Sequence, residues 1–192
     1  MIPSRAALLL IDVQQAFDSP SWGRRNNPDA EAAVARLLAA WRAAGWPVLH
    51  VQHLSALPAS TLRPGQPGVA FKPEALPLGA EPVFQKGVNS AFIGTGLEAY
   101  LRDRGIPALV VAGLTTNHCV STTTRMAGNL GFETFVVADA TAAFDTLGPD
   151  GVLYPAETVH AVSLASLHGE FATVVSADQA ISTLAPVALA AL

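Results

Sequence analysis

Apolar residues in this chain fall into two kinds of run. AALLLIDV (6–13), PVLHVQH (47–53), EPVFQK (81–86), PALVVAG (107–113), ETFVVAD (133–139) and FATVVSA (171–177) are short blocks without strict polar alternation. Such blocks predict strands covered on both faces. Between them the apolar period changes to that of a helix. Residues 29–44, DAEAAVARLLAAWRAA, repeat Ala33, Leu37, Ala40 and Ala44 on one face, and Gly45 stops them. GTGLEAYLRDRG (94–105) predicts a helix ending at Gly105, and a further helix is expected from about Asn117 to Leu130 with Gly131 behind it. PAETVHAVSLASLHG (155–169) predicts another, with a short one after residue 177. Residues 54–80, rich in proline and glycine, show no period; a loop this long inside a compact domain is usually functional or disordered. The alternation predicts one domain over residues 1–192 of the α/β class: a doubly wound parallel sheet of about six strands between two helical layers, a three-layer α/β/α arrangement. Ligands of such sheets bind beyond the carboxyl ends of the strands, where the strand order reverses.

Composition narrows the setting. With 192 residues, 51% of them hydrophobic, the chain can bury a core without disulfides or a structural metal. Its single cysteine, Cys119, cannot form an internal disulfide, which suits a reducing, cytoplasmic setting. The net charge is −4 and the basic residues are scattered, which points away from nucleic acid. No apolar run approaches the ~20 residues of a membrane span. AALLLI runs into Asp12 without a cleavage-type ending, which points away from a secretory leader. Only 14% of residues are charged, so the apolar excess fills either a large core or a subunit face.

Three residues with chemistry fall at expected strand ends: Asp12 after the first strand, Lys86 after the third, and Cys119 in GLTTNHCVSTTT (113–124) after the fourth. A thiol in a first helical turn is drawn toward thiolate by the helix dipole and by a neighbouring lysine. A carboxylate could take the thiol proton and later give it to a leaving group. Backbone N–H groups at the helix start could hold an oxyanion. Together the three suit acyl transfer through a thioester. Taken singly, Cys119 reads more readily as an inert core thiol and Lys86 as a solvated surface charge, while Asp12 reads equally as a turn cap.

At these residues the chain resembles the isochorismatase-like cysteine hydrolases, which include nicotinamidases and N-carbamoylsarcosine amidases. LLLIDVQQAFD (8–18) matches the opening strand through Asp12, Gln14 and Phe17; VFQKGVNSAFIGTGL (83–97) is similar to the lysine segment; and LVVAGLTTNHCVSTTTRMAGNLGFETFVVADATAAF (109–144) resembles the nucleophile segment through Gly113, Thr116, Cys119 and Val120. The resemblance implies Asp12 as general acid/base, Lys86 as the stabiliser of the thiolate and Cys119 as nucleophile. It also implies a cis peptide between Leu114 and Thr115, with the Thr115 and Cys119 N–H groups as oxyanion hole. The substrate pocket would draw on Gln14, Phe17, Trp22, His53, Phe92, Asn117 and the 54–80 loop, which could close its own site or a neighbour's. Arg24, Arg25 and Arg63 are candidates for a substrate carboxylate.

The metal-binding D-x-H element of nicotinamidases is replaced here by HVQHLSA (50–56), which has no aspartate. No metal and no other cofactor are therefore expected, with His50 and His53 as core or pocket residues. His118 is expected to cap its helix, and His160 and His168 to be structural or interfacial. The resemblance thus implies a metal-independent hydrolase of a C–N bond in a small-molecule amide, and a homo-oligomer, a dimer or tetramer. The rival readings are an isochorismatase-type vinyl ether hydrolase and a catalytically silent ligand-binding member of the fold.

Overall fold

The computed structural model describes residues 1–184. Six parallel strands form one sheet: β1 (Ala7–Ile11), β2 (Val48–His53), β3 (Val83–Lys86), β4 (Ala108–Leu114), β5 (Glu133–Ala142) and, near the carboxyl end, β8 (Thr173–Val175). Their order is β3-β2-β1-β4-β5-β8. The chain winds outward from β1 to β3, returns to β4 beside β1, and winds out the other way. The order therefore reverses between β1 and β4, which places the ligand-binding end of the sheet at the carboxyl ends of these two strands.

Both faces of the sheet are covered, which is why its central strands read as continuous apolar blocks. Leu8 and Leu10 of β1 pack with Leu37 and Trp41 of α1 (Ala30–Ala44) and with Ala177 and Ala180 of α5 (Ala177–Ser182). Leu9 and Ile11 face the opposite layer: α2 (Leu97–Asp103), α3 (Ser121–Asn129) and α4 (Ala156–Leu167) bring Leu97, Leu101, Ala127 and Leu167 to it. Trp41 is fully buried, and its indole N–H donates to the Ala6 carbonyl at 2.9 Å. Helix α1 ends at Gly45 in the left-handed conformation (φ 65°), as its sequence predicts.

The structure departs from the sequence expectations in three places. The helix expected from Asn117 begins as one π turn, Thr116–Val120, in which the Val120 N–H reaches back to the Thr115 carbonyl; regular α3 starts only at Ser121. A small hairpin, β6 (Thr146–Leu147) with β7 (Leu153–Tyr154), was hidden because two-residue strands carry no period. The 54–80 loop folds back on its own chain: Lys72, only 5% exposed, reaches Asp18 at 2.5 Å and Glu31 at 2.6 Å, and its N–H donates to the Val13 carbonyl.

Gly113 is where β4 meets the end of β1. Its φ is +120°, a conformation that L side chains rarely adopt, and a Cβ there would lie 2.0 Å from the Ile11 carbonyl oxygen. Gly113→Ala is expected to cost at least ~3 kcal/mol. In a chain of this size that lowers Tm by roughly 6–12 °C. A thermal melt within 2 °C of wild type would contradict the close approach.

Candidate active site

Asp12 follows β1 with φ 50°, the left-handed region that costs a non-glycine residue ~1 kcal/mol. Its N–H donates to Val51 at 3.1 Å, and its side chain is completely buried. Lys86, the last residue of β3, is 2% exposed and puts its Nζ 2.6 Å from Asp12 Oδ2. The Lys86 ammonium and the Cys119 thiol are the side-chain donors that favour the ionised carboxylate. Cys119 is 8% exposed in the π turn, and ligand atoms of Asp12, His53 and Cys119 all lie within 4.8 Å of one another. The peptide between Leu114 and Thr115, which leads into this turn, is cis.

Electrostatics divide these groups by role. Burial raises Asp12 to about 6 against the pull of Lys86. Burial, then the neighbouring Asp12 charge, pushes the Cys119 thiol up to about 12, against the pull of Lys86. The low thiol pKa expected from the helix dipole is therefore not the resting condition: desolvation and the aspartate outweigh it, and the proton rests on sulfur. His53 is held down to about 4, by burial first and Lys86 second. Lys86 Nζ donates to its Nδ1 at 2.8 Å, so the neutral ring carries its hydrogen on Nε2.

Asp12, His53 and Cys119 form a donor set of a metal-binding kind. The Lys86 ammonium, however, contacts Asp12 and His53 at 2.6 and 2.8 Å, where a cation would have to sit. The set fits the lysine and does not fit a metal ion.

A cavity of about 220 Å³ reaches the turn that carries Cys119 through Thr115, Asn117 and His118 and is otherwise lined by Ser21, Trp22, Phe144, Asp145, Thr146 and Leu147; Asp12, His53, Lys86 and Cys119 do not line it. Trp22 and Asn117 were expected here. Phe17 supports the wall from behind, 5.0 Å from the Trp22 ring and 6.3 Å from Phe144. Gln14 and Phe92 are placed otherwise. The Gln14 amide donates to the His53 and Val69 carbonyls and accepts from the His53 N–H, so it ties the long loop to β2, and it is completely buried. Phe92 stacks on Phe132 at 5.9 Å in the core. Asp145 and Leu147 were missed, because the segment after residue 144 carries no motif of its own, and Phe144, the last residue of the nucleophile stretch, was not assigned to the pocket.

Arg24 is engaged by Asp145 and Glu157, and Arg25 by Glu31, so neither is free for a substrate carboxylate; Arg63 is exposed. His118 pins the turn through Thr115 Oγ1 at 3.1 Å, and His160 reaches Thr116 Oγ1 from α4 at 2.9 Å. His50 is buried against Glu81. A larger cavity of about 520 Å³ lies between α1 and the long loop. Its Lys72, Arg25, Asp18 and Glu31 neutralise one another, and it lacks a nucleophile.

Comparison with known proteins places this arrangement. The isochorismatase domain family matches residues 6–179. The uncharacterised isochorismatase family protein YrdC of Bacillus subtilis is 48% identical, over 93% of this chain and 95% of its own. A crystal structure from Chromobacterium violaceum, assigned to the isochorismatase hydrolase family, is 52% identical with a TM-score of 0.92, covering 96% of each chain. A streptothricin hydrolase of Streptomyces noursei is 37% identical over 72% of this chain and 50% of its own. No helix among the described residues is long and apolar enough to cross a membrane. With the family model matching residues 6–179 and a 48% identical relative covering 93% of its length, the chain belongs to the isochorismatase family.

Proposed function

We propose that this protein is a metal-independent cysteine hydrolase that cleaves the C–N bond of a small amide through a thioester. The observation that carries the reading is the thiol of Cys119 beside a fully buried carboxylate whose charge is balanced by Lys86. Asp12, ionised above about pH 6, takes the thiol proton as sulfur attacks the substrate carbonyl. A thiol held near 12 gives little standing thiolate, so proton transfer and attack proceed together. The carbonyl oxygen gains negative charge beside the Thr115 and Cys119 N–H groups. Asp12 then returns the proton to the leaving nitrogen, the C–N bond breaks, and an acyl-Cys119 thioester remains. Water attacks that thioester with Asp12 taking its proton; the C–S bond breaks, the thiol recovers its hydrogen, and the acid leaves. Lys86 offsets the Asp12 charge, and His53 holds the lysine from the other side.

The cavity of about 220 Å³ at the Cys119 turn supports a small substrate. Trp22 and Phe144 suit a flat apolar group. A panel of small primary amides and N-carbamoyl compounds, read by ammonia release and by the intact mass of the protein, tests the reading. An acyl adduct confined to Cys119 is the expected result. A turned-over amide that never labels Cys119, even when quenched in the first turnover, would remove the thioester.

A further inference from the structure

A cavity of about 370 Å³ lies at the amino ends of β1, β2 and β4, the opposite end of the sheet from Asp12 and Cys119. Arg5 lines it from just before β1, Trp46 and Pro47 from the link between α1 and β2, and Tyr100, Arg104 and Ile106 from α2 and its link to β4. The volume falls in the range of small-molecule sites. No carboxylate lines it.

Its two arginines stand apart from the chain's other basic residues. The chain has eleven lysines and arginines and a net charge of −4. Seven of the eleven are ion-paired among the described residues. Of the other four, Arg63 is exposed on the long loop, and Arg125 lies over the Phe171 ring and reaches Ser121 Oγ. The remaining two, Arg5 and Arg104, share this cavity. The Arg104 guanidinium carbon sits 3.8 Å from the centroid of the Tyr100 ring, which steadies the charge and accepts none of its in-plane N–H groups. Like charges in one concavity repel each other and together attract an anion.

The ordinary use of arginine beside a helix end is already filled. Such a side chain commonly serves the last carbonyls of the helix. Here backbone does so: the Gly45 and Trp46 N–H groups donate to Arg42 and Trp41 at 3.1 and 3.0 Å, and those of Gly105 and Ile106 donate to Arg102 and Leu101 at 3.0 Å. Arg5 also has φ 64°, a left-handed conformation that glycine or asparagine enters far more readily. The aromatic walls are braced from behind. Trp46 stands at 90° to Trp41 with 6.0 Å between centroids, and Tyr100 meets Phe84 edge-on at 5.5 Å.

We propose that this cavity binds an aromatic phosphate monoester of the size of a nucleoside monophosphate. Two guanidinium forks match the charge of about −1.5 to −2 on such a phosphate at pH 7 and can each pair with it bidentately. A carboxylate supplies one charge and leaves an arginine unmatched. Inorganic phosphate leaves Trp46 and the outer face of the Arg104–Tyr100 stack unused. The site lies away from Cys119, so the proposal stands or falls independently of the hydrolase reading.

Amide NMR titration of the full chain with adenosine monophosphate, adenosine and inorganic phosphate tests it. Adenosine monophosphate is expected to bind saturably below ~1 mM. Its shifts should centre on residues 4–6, 45–47 and 100–106, and its affinity should fall with added salt. Adenosine and inorganic phosphate should each bind at least ~10-fold more weakly. Arg5→Gln and Arg104→Gln should each weaken adenosine monophosphate at least ~10-fold, and Arg63→Gln should leave it unchanged. No saturation by ~5 mM, or shifts centred on residues 113–120, would overturn the site. Arginine variants that bind like wild type would overturn it as well. Adenosine or inorganic phosphate binding as tightly as the monophosphate would overturn the ligand class. If Arg5→Gln does not fold, Arg104→Gln and the wild-type shift map decide.

Discussion

Cys119→Ala is expected to lower turnover of the cognate amide by at least ~10⁴-fold while leaving the fold intact. Removing the nucleophile of a cooperating hydrolytic set usually costs as much as removing the whole set. The remaining acceleration over water comes from binding and oxyanion contacts. The fold should tolerate the change, since Cys119 adds only one small side chain to a layer held by Leu9, Ile11, Val111 and Val136. Cys119→Ser is the sharper control. It keeps a donor beside Asp12, so a loss of similar size would assign the effect to sulfur and not to the hydrogen bond. The rival ether chemistry makes the opposite forecast. Protonation of a vinyl ether needs a carboxylic acid, and Asp12, raised to about 6, could serve without the thiol. Activity retained in Cys119→Ala would therefore move the assignment to ether hydrolysis. The absence of both activity and acyl adduct on every compound tried would favour a silent binding member.

The sheet was legible because its strands are buried on both faces. Leu8 and Leu10 serve one helical layer and Leu9 and Ile11 the other, so the run shows no alternation and cannot be taken for a half-exposed strand. The glycine stops were legible as well, since Gly45, Gly105 and Gly131 all adopt positive φ. Asp12, Lys86 and Cys119 could be read as candidates from their positions after apolar blocks, and the structure brings them together. Their electrostatics could not be read. A pattern of residues carries the helix dipole and the lysine, but not the desolvation that pushes the thiol up. Gln14 was misjudged for a similar reason: a polar residue beside a reactive aspartate suggests a ligand contact, and only its three backbone partners reveal a strut. The hairpin at 146–154 and its cavity residues were invisible, because two residues of strand on each side are too few to repeat.

Asp12→Asn and Lys86→Met are expected to move the reactivity of Cys119 in opposite directions while both abolish turnover. Alkylation by iodoacetamide follows the thiolate fraction. In the wild type, burial and then the Asp12 charge push the thiol up to about 12, and Lys86 pulls it down. Native labelling at pH 7 should accordingly be slow. Replacing Asp12 by Asn removes a negative neighbour and leaves the ammonium, so the thiol pKa falls; each unit of fall raises the thiolate fraction ~10-fold below the pKa. At pH 8 this variant should be alkylated at least ~10-fold faster than wild type. Lys86→Met removes the one attractive charge, so labelling should slow at every pH. Turnover behaves differently. It needs the Asp12 carboxylate as base, so in the wild type it should rise as pH passes through about 6 and then level off. In Asp12→Asn that limb disappears together with ~10³-fold or more of the rate, although the thiol has become more reactive toward iodoacetamide. A reactive thiol without turnover would separate the two tasks of the site: Lys86 favours the sulfur anion, and Asp12 carries the proton. Equal shifts of the alkylation profile in both variants, or none in either, would mean that the two side chains do not act on Cys119 as charges, and the proposed division of labour would fall.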